Sequence, residues 1–302
     1  MIDPGLLALV EETRAFYATR TPGRGPSSPA ELLAARAART AATPAAPPAI
    51  QDVARAAGHE VPVRIHLPVT GRPGGVLVDI HGGGFYLGSA ADGDVRDREL
   101  ADRLGVVVVG VDYRLAPEHP WPAAPDDCAC VARWLLADAA DRFGTDRIAL
   151  TGFSAGATLA VTTLLRLLDQ DGGRIAGAVL EFGTYDLSGR TPAGRLIADE
   201  YFLDAYAGDA PDRTDPDLSP IYADDADLAG LPPLLMVVGA DDVLLDDNRA
   251  MAARLAAAGV DVDLRIHPAA PHGFTAHPTP MARAARAGIE AWLAERLDDR
   301  AP

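Results

Sequence analysis

Ile148–Thr158, which reads Ile-Ala-Leu-Thr-Gly-Phe-Ser-Ala-Gly-Ala-Thr, is the stretch that decides the fold of this chain. A short apolar run ends in Gly-Phe-Ser-Ala-Gly, and the helix-forming segment 155–168 follows at once. This pattern predicts a strand, a sharp turn and a helix, with Ser154 at the turn. Gly152 and Gly156 flank the serine because a tight turn brings the two backbones close, where a Cβ would clash. The serine hydroxyl is therefore predicted to stand clear of a sheet, available for chemistry.

Apolar runs alternate with helical patterns on both sides of this turn, and the central runs are apolar nearly throughout. Such strands are buried on both faces, so the sequence predicts an α/β fold with a mostly parallel sheet covered by helices. In segment 61–67 apolar residues alternate with other residues, as in an edge strand, and segment 261–267 is predicted to be the last strand of the sheet. Asp126 or Asp127 is expected to cap the helix that begins at this position. The predicted strands are 61–67, 75–80, 106–111, 148–151, 175–182, 234–239 and 261–267, and the predicted helices are 96–104, 126–142, 155–168, 244–258 and 281–297.

Two regions depart from this alternation. Residues 1–45 show two short amphipathic helical patterns, broken at 21–26 and followed by a proline-rich linker at 43–48. They are interpreted either as a lid or as simple packing. Segment 183–231 is acidic and irregular and contains Tyr201, Phe202 and Tyr206. An insertion of this length between strands is more often a functional lid than disorder, and these rings are candidates for pocket walls or for core.

Composition excludes several classes of protein. The chain has 302 residues, of which 48% are hydrophobic and 23% charged, as in an ordinary globular protein. Its net charge of −16 argues against nucleic acid or an anionic membrane as partner. All 27 basic residues are arginine, which excludes Schiff-base lysines and Gly-Lys-Ser/Thr phosphate loops. With no membrane-spanning run and no signal peptide in the pattern, a cytoplasmic location is expected.

Metal and disulfide chemistry also lack a supporting pattern. Cys128 and Cys130 are two apart in a predicted helix, so their side chains diverge and a disulfide or cysteine zinc site is not expected. His81 and His119 have no ligand spacing. No metal and no cofactor are therefore predicted.

An activated serine needs a base, a group that orients the base, and donors for an oxyanion. In a fold of this kind the acid and the histidine follow the serine in chain order, at strand ends. The candidate acids after strand 234–239 are Asp241, Asp242, Asp246 and Asp247. His272 follows the next strand in Pro-His-Gly-Phe, whereas His267 lies inside that strand and His277 lies beyond the loop.

The stretch His81–Phe85, His-Gly-Gly-Gly-Phe, is a second and independent signal. Three glycines after a buried strand leave backbone N–H groups uncovered, as an oxyanion hole requires. A phosphate-binding loop is rejected, because the Gly-x-Gly-x-x-Gly spacing and the acidic residue that follows it are both missing.

With these motifs the chain resembles the hormone-sensitive lipase family of α/β-hydrolases, in its bacterial carboxylesterase branch. The motifs span residues 81–274, and the strand–helix rhythm continues to the C-terminus. The resemblance is carried by His81–Phe85, by Asp-Tyr-Arg-Leu-Ala-Pro-Glu-His-Pro-Trp-Pro-Ala-Ala at 112–124, by Gly-Phe-Ser-Ala-Gly at 152–156, and by 242–247 followed by His-Gly-Phe at 272–274.

The resemblance implies a role for each matching residue. It makes Ser154 the nucleophile, His272 the general base and Asp242 the acid of a triad. Gly83, Gly84 and Ala155 would be the oxyanion donors. The resemblance further implies a helical cap made of residues 1–50 and of an insertion around 183–231, on a catalytic domain of residues 51–302. Tyr113 and Arg114 would hold the strand end near the His81 loop.

Two positions depart from the family pattern. Phe153 stands where the family usually has aspartate, and Val243 where it usually has proline. Phe153 removes a carboxylate beside the site and is expected to alter substrate fit, and Val243 leaves Asp241 as a rival acid. Phe85 and Tyr86 are expected to contact substrate, because the glycine loop places them near the serine.

The resulting prediction is a serine carboxylesterase acting on short- to medium-chain acyl esters, with a small-molecule ester as partner. Two other classes stay open. One is an amidase, a natural-product acetyl-hydrolase or a lyase on the same scaffold, and the other is a small-molecule binding module without catalysis. The oligomeric state, a homodimer included, also stays open.

Overall fold

The computed structural model describes residues 4–20, 25–39, 45–69, 71–168 and 175–297. These residues build an α/β fold around one eight-stranded sheet in the order β1-β2-β4-β3-β5-β6-β7-β8. β2 is antiparallel to both of its neighbours, β1 and β4, and the remaining pairs from β4 to β8 are parallel. The predicted mostly parallel sheet is therefore confirmed. The strands are β1 Ile50–Ala56, β2 His59–His66, β3 Val76–Ile80, β4 Val107–Val111, β5 Ile148–Phe153, β6 Ile175–Glu181, β7 Leu234–Gly239 and β8 Val262–His267.

Helices cover both faces of the sheet, because alternate residues of each central strand point to opposite sides. In β3, Val76, Val78 and Ile80 join a core that includes α5, α6 and α9, whereas Leu77 joins the core under α4 and α10. The described helices are α1 Pro4–Leu7, α2 Val10–Ala18, α3 Pro29–Ala38, α4 Asp94–Leu104, α5 Ala123–Phe143, α6 Ala155–Leu167, α7 Tyr201–Ala207, α8 Asp225–Ala229, α9 Leu245–Ala257 and α10 Pro280–Leu297.

Two predictions about local structure are wrong. The segment predicted as an edge strand is β2, which lies between β1 and β4 and is paired on both sides. The edge strand on this side of the sheet is β1, which the sequence pattern missed. Asp126 and Asp127 do not cap α5, because that helix begins at Ala123. Instead Asp126 accepts a hydrogen bond from Arg166 at 2.6 Å, and Asp127 pairs with Arg114 at 2.8 Å.

The two irregular regions of the sequence are partly helical. Before the sheet, α1, α2 and α3 form, and the apolar side of α2 packs near α10. Residues 21–24, 43 and 44 of the predicted break and linker lie outside the described residues. The 183–231 insertion contains α7 and α8, joined by turns. None of the helices in the described ranges is long and apolar enough to cross a membrane.

Candidate active site

Ser154 lies at the sharp turn between β5 and α6. Its backbone has φ +53° and ψ −124°, a conformation that a residue with a side chain rarely adopts. The Ser154 N–H donates to the carbonyl oxygen of Glu181 at the end of β6, with an N···O distance of 2.8 Å. The turn is therefore tied to the neighbouring strand, and its strain lifts the hydroxyl above the carboxyl edge of the sheet.

Two glycines make this turn sterically possible. A Cβ added at Gly156 would lie 2.0 Å from the carbonyl oxygen of Ile80, and one added at Gly152 would lie 2.2 Å from the carbonyl oxygen of Gly156. Both contacts are with backbone atoms, which cannot move aside as a flexible side chain can. Close approach of β5, α6 and the end of β3 thus requires glycine at both positions.

Three predicted side chains form one hydrogen-bonded line. His272 Nε2 lies 3.1 Å from Ser154 Oγ, and His272 Nδ1 lies 3.0 Å from Asp242 Oδ2 and 3.1 Å from Oδ1. An ionised carboxylate only accepts hydrogen bonds, so Nδ1 carries the proton and donates it to Asp242. Nε2 of the neutral imidazole is then an acceptor for the serine hydroxyl. This is the arrangement that can take a proton from the serine.

Asp242 is held in place by its own loop. Its side chain is fully buried, and Oδ1 also accepts the Leu244 N–H at 2.8 Å. The other three aspartates lie elsewhere: Asp241 is exposed, Asp246 pairs with Arg249 at 3.2 Å, and Asp247 Oδ2 accepts the Tyr185 N–H at 2.5 Å. Of the four, Asp242 is the one that the described contacts bring to His272.

The other candidate histidines lie outside this line. His267 is buried at the end of β8 with its ring 5.1 Å from that of Phe274. His277 Nδ1 lies 2.8 Å from the Tyr17 hydroxyl of α2. His272 is backed instead by Phe182, whose ring meets it edge-on at 5.0 Å. Phe182 was not predicted as a site residue; its position just after β6, beside the serine turn, was the available signal.

The glycine loop lies beside the serine turn. Gly83 and Gly84 line the same cleft as Ser154 and Ala155. Gly83 has φ +117°, and a Cβ there would lie 2.2 Å from the carbonyl oxygen of Leu87. Ala155 is the first residue of α6, so its N–H has no acceptor within the helix. All three residues predicted as donors therefore line the same cleft as the serine.

A stacked pair supports the base of this loop. The rings of His81 and Tyr113 stack at 4.1 Å, and the Tyr113 hydroxyl donates to the His81 carbonyl oxygen at 2.9 Å. Burial lowers the pKa of His81, so its imidazole is neutral and serves as a packing surface. Tyr113 thus contacts the loop as expected, whereas Arg114 contacts Asp127 of α5 instead.

The cleft above Ser154 has a volume of about 470 Å³, in the range of small-molecule sites. The predicted contact residues Phe85 and Tyr86 line it, and so does Phe202 of α7. Tyr206 is buried behind it, stacked on Phe85 at 3.8 Å. The remaining residues that line the cleft were not predicted, because they form no recognisable sequence motif. They are Gly25, Leu87, Thr184, Leu196, Ile197, Glu200, Val243 and Leu244.

Phe153 is not brought to this cleft. Side chains of a strand alternate between faces, and in β5 Ala149 and Phe153 point to the α4 and α10 side. There the Phe153 ring lies under the guanidinium of Arg96 at 5.1 Å. Phe153 is therefore not among the described residues that line the cleft, and its effect on substrate fit stays a prediction.

Behind Phe153 lies a buried group of charges. Arg96 forms ion pairs with Asp79 and with Asp97, the latter at 3.2 Å. Burial raises the pKa of Glu181 in the same region, with the positive charge of Arg96 opposing that rise. Among the described residues there is no group of three or more His, Cys, Asp or Glu side chains that could hold a metal ion.

Comparison with known proteins shows which family this architecture belongs to. A family model described as alpha/beta hydrolase fold matches residues 77–276, more than half of the chain. An ethyl acetate hydrolase of Pseudomonas putida is 35% identical over 234 residues, 72% of each chain. The carboxylesterase NlhH of Mycobacterium tuberculosis is 33% identical over 289 residues, 90% of this chain and 88% of that one. A solved hyperthermophilic esterase from the archaeon Pyrobaculum calidifontis superposes with a TM-score of 0.75 at 29% identity, covering 96% of this chain and 93% of that one.

The chain therefore belongs to the α/β-hydrolase family, as its sheet order and serine turn indicate. Within that family it is of the hormone-sensitive lipase type, the esterase branch to which the sequence motifs pointed. The predicted family and fold class are both confirmed.

Proposed function

We propose that this protein is a serine carboxylesterase that hydrolyses short- to medium-chain acyl esters through an acyl-enzyme intermediate. Ester hydrolysis as such is supported by the family and by relatives that are named carboxylesterase and ethyl acetate hydrolase. The observation that carries the finer proposal is the hydrogen-bonded line from Ser154 and His272, which line the cleft, to the buried Asp242, with contacts of 3.1 and 3.0 Å.

In the first half of the reaction, Ser154 Oγ attacks the ester carbonyl carbon and His272 Nε2 takes the hydroxyl proton. Asp242 keeps the Nδ1 proton in place and stabilises the imidazolium that forms. The tetrahedral intermediate collapses, the C–O bond to the alcohol breaks, and the alcohol leaves with the proton from His272. The acyl group is now bound to Ser154 Oγ.

In the second half, water repeats these steps on the acyl-enzyme. His272 takes a proton from water, the hydroxide adds to the acyl carbon, and Ser154 leaves with the proton to release the acid. In both halves the N–H groups of Gly83, Gly84 and Ala155 donate to the oxyanion. Removing one such donor typically costs about 3–4 kcal/mol of transition-state stabilisation.

We further propose that α1–α3 and the 183–231 insertion act together as a cap on a catalytic domain that begins near residue 51. Two contacts support this: Arg36 of α3 donates to the Tyr86 carbonyl oxygen at 2.8 Å, and Phe202 of α7 lines the cleft. Phe85 and Tyr86 would then form the wall that the cap completes. A cleft of about 470 Å³ closed in this way suits a short or medium acyl chain.

The test is hydrolysis of p-nitrophenyl esters from acetate to palmitate by the wild type and by Ser154→Ala. We expect kcat/KM to be greatest between acetate and octanoate, and Ser154→Ala to lose at least 10³-fold, since the serine and histidine act as one unit. Hydrolysis that survives in Ser154→Ala would remove Ser154 as the nucleophile. A rate that keeps rising to palmitate would overturn the chain-length proposal while leaving the esterase intact.

A further inference from the structure

The charge of the cleft is set by one residue. Of the described residues that line it, Glu200 is the only one with a carboxylate or guanidinium side chain, and the remainder are apolar, glycine, hydroxyl-bearing or His272. Glu200 is half-buried just before α7, and none of its described neighbours forms an ion pair or hydrogen bond with its carboxylate. The other acids beside the site, Asp242 and Asp247, are both hydrogen-bonded.

Aromatic rings line the same cleft as this carboxylate. Tyr86 and Phe202 both contact Gly84: a Cβ there would lie 3.5 Å from a ring carbon of Tyr86 and 3.3 Å from Phe202 Cβ. The two rings meet edge-on at 6.4 Å. Burial, and then the negative charge of Glu200, raise the pKa of Tyr86 to about 12. Glu200 lines the same cleft as Gly84, Tyr86 and Phe202, so the carboxylate and these rings share one binding space.

A carboxylate together with aromatic rings is the set of groups that recognises an ammonium. The face of an aromatic ring attracts a cation, and the attraction grows when water is displaced. A half-buried carboxylate that has no partner in the described part of the chain loses hydration when a ligand fills the cleft, and a cationic ligand group compensates for that loss. An anionic group in the same place adds repulsion to desolvation. The net charge of −16 further attracts cations to the whole molecule.

We infer that the cleft prefers esters that carry a positively charged amine or quaternary ammonium, and that Glu200 is the residue that selects for this charge. The inference rests on the proposed esterase activity and names the substrate class for the same site. Glu200 contacts the substrate away from the reacting atoms. It therefore changes which ester is chosen, while Ser154, His272 and Asp242 perform the chemistry.

The test uses two esters of the same shape. Butyrylthiocholine carries a trimethylammonium group, and 3,3-dimethylbutyl thiobutyrate replaces the charged nitrogen with carbon. Each releases a thiol that a disulfide reagent detects, so kcat/KM can be compared directly. The wild type is expected to prefer the cationic ester. Glu200→Gln is expected to lower the ratio of cationic to neutral kcat/KM by roughly tenfold, because a partly desolvated charge pair is lost.

Asp199→Asn is the matched control. It removes the same charge one residue away, and its exposed side chain does not line the cleft. If Asp199→Asn lowers the ratio as much as Glu200→Gln does, the preference comes from overall charge and the assignment to Glu200 is wrong. If the ratio of cationic to neutral kcat/KM is the same in wild type and Glu200→Gln, Glu200 does not select for charge and the inference is wrong.

A binding measurement separates this inference from the proposed function. Calorimetric titration of both esters into Ser154→Ala, with and without Glu200→Gln, reads recognition without turnover. Preferential binding of the cationic ester that disappears with Glu200→Gln supports the inference even if neither ester is hydrolysed. Equal binding of both esters overturns it even if both are hydrolysed.

Discussion

Asp247 offers a direct test of how burial changes the titration of a carboxyl group in this fold. It lies in the first turn of α9 and is almost fully buried, and burial raises its pKa to about 6. In the unfolded chain an aspartate titrates at about 3.9. At a pH between these two pKa values, Asp247 keeps its proton in the folded protein but has released it in the unfolded chain. Asp247 therefore contributes stability that is complete below about pH 4 and is lost as the pH rises through about 6.

The size of the effect follows from the gap between the two pKa values. A gap of about 2 corresponds to about 3 kcal/mol, of which about 1 kcal/mol is already lost at pH 4.5. Asp247→Asn has no proton to lose, and its amide oxygen can still accept the Tyr185 N–H. The free energy of unfolding of the variant, relative to wild type, should therefore rise by about 2 kcal/mol from pH 4.5 to pH 7.5.

Urea unfolding of both proteins at pH 4.5, 5.5, 6.5 and 7.5 measures this difference. Asp246→Asn is the control, because Asp246 is exposed and pairs with Arg249 on the surface. Its effect should change by less than about 0.5 kcal/mol over the same range. A difference between Asp247→Asn and wild type that stays constant with pH, or that falls as the pH rises, would refute the reasoning about burial.

Three further substitutions test the parts of the site. Arg36→Ala removes the donors to the carbonyl oxygens of Tyr86 and Ala116, at 2.8 and 2.6 Å, so the glycine loop should shift and kcat on p-nitrophenyl butyrate should fall about 10–100-fold. Arg36→Lys should show a smaller loss, and equal rates in the wild type and both variants would show that α3 does not position the loop. Asp242→Asn can present an amide N–H to His272 and favour the wrong tautomer, so kcat should fall about 10⁴-fold. A loss below tenfold in steady-state kinetics would remove Asp242 from the proposed triad. Gly156→Ala places a Cβ 2.0 Å from the Ile80 carbonyl oxygen, so the free energy of unfolding, measured by circular dichroism melting, should fall by at least about 3 kcal/mol. If the variant is as stable as the wild type, the turn can relax without cost.

Strands that are apolar in sequence were found where they were predicted, because burial on both faces leaves a continuous apolar run. β7 matches its predicted range, and β5 and β6 differ from theirs only at the carboxyl end. β1, Ile-Gln-Asp-Val-Ala-Arg-Ala, was missed because an edge strand with one exposed side needs few apolar residues. Its structure depends on hydrogen bonds to β2, which no local pattern records.

The direction of Phe153 shows a second limit. Phe153 precedes Ser154 in the Gly-Phe-Ser-Ala-Gly motif, and this neighbouring position suggested an effect on substrate fit. In β5, alternation of side chains sends its ring to the opposite face, toward Arg96. Applying the two-residue period of a strand to the last residue of the apolar run would have predicted this placement.

The sequence by itself determined the serine turn, the glycine loop, the central strands and the family, because each depends on residues that are close in the chain or on a buried apolar run. Spacing alone left four neighbouring aspartates open and the family resemblance selected Asp242, but only the tertiary structure shows that Asp242 reaches His272 and that Glu200 lines the cleft. Ser154, Asp242 and His272 are up to 118 residues apart, and they meet because parallel strands bring their carboxyl ends to one edge of the sheet. The position of Glu200 depends on how the 183–231 insertion packs over that edge, and contacts between distant segments decide such packing.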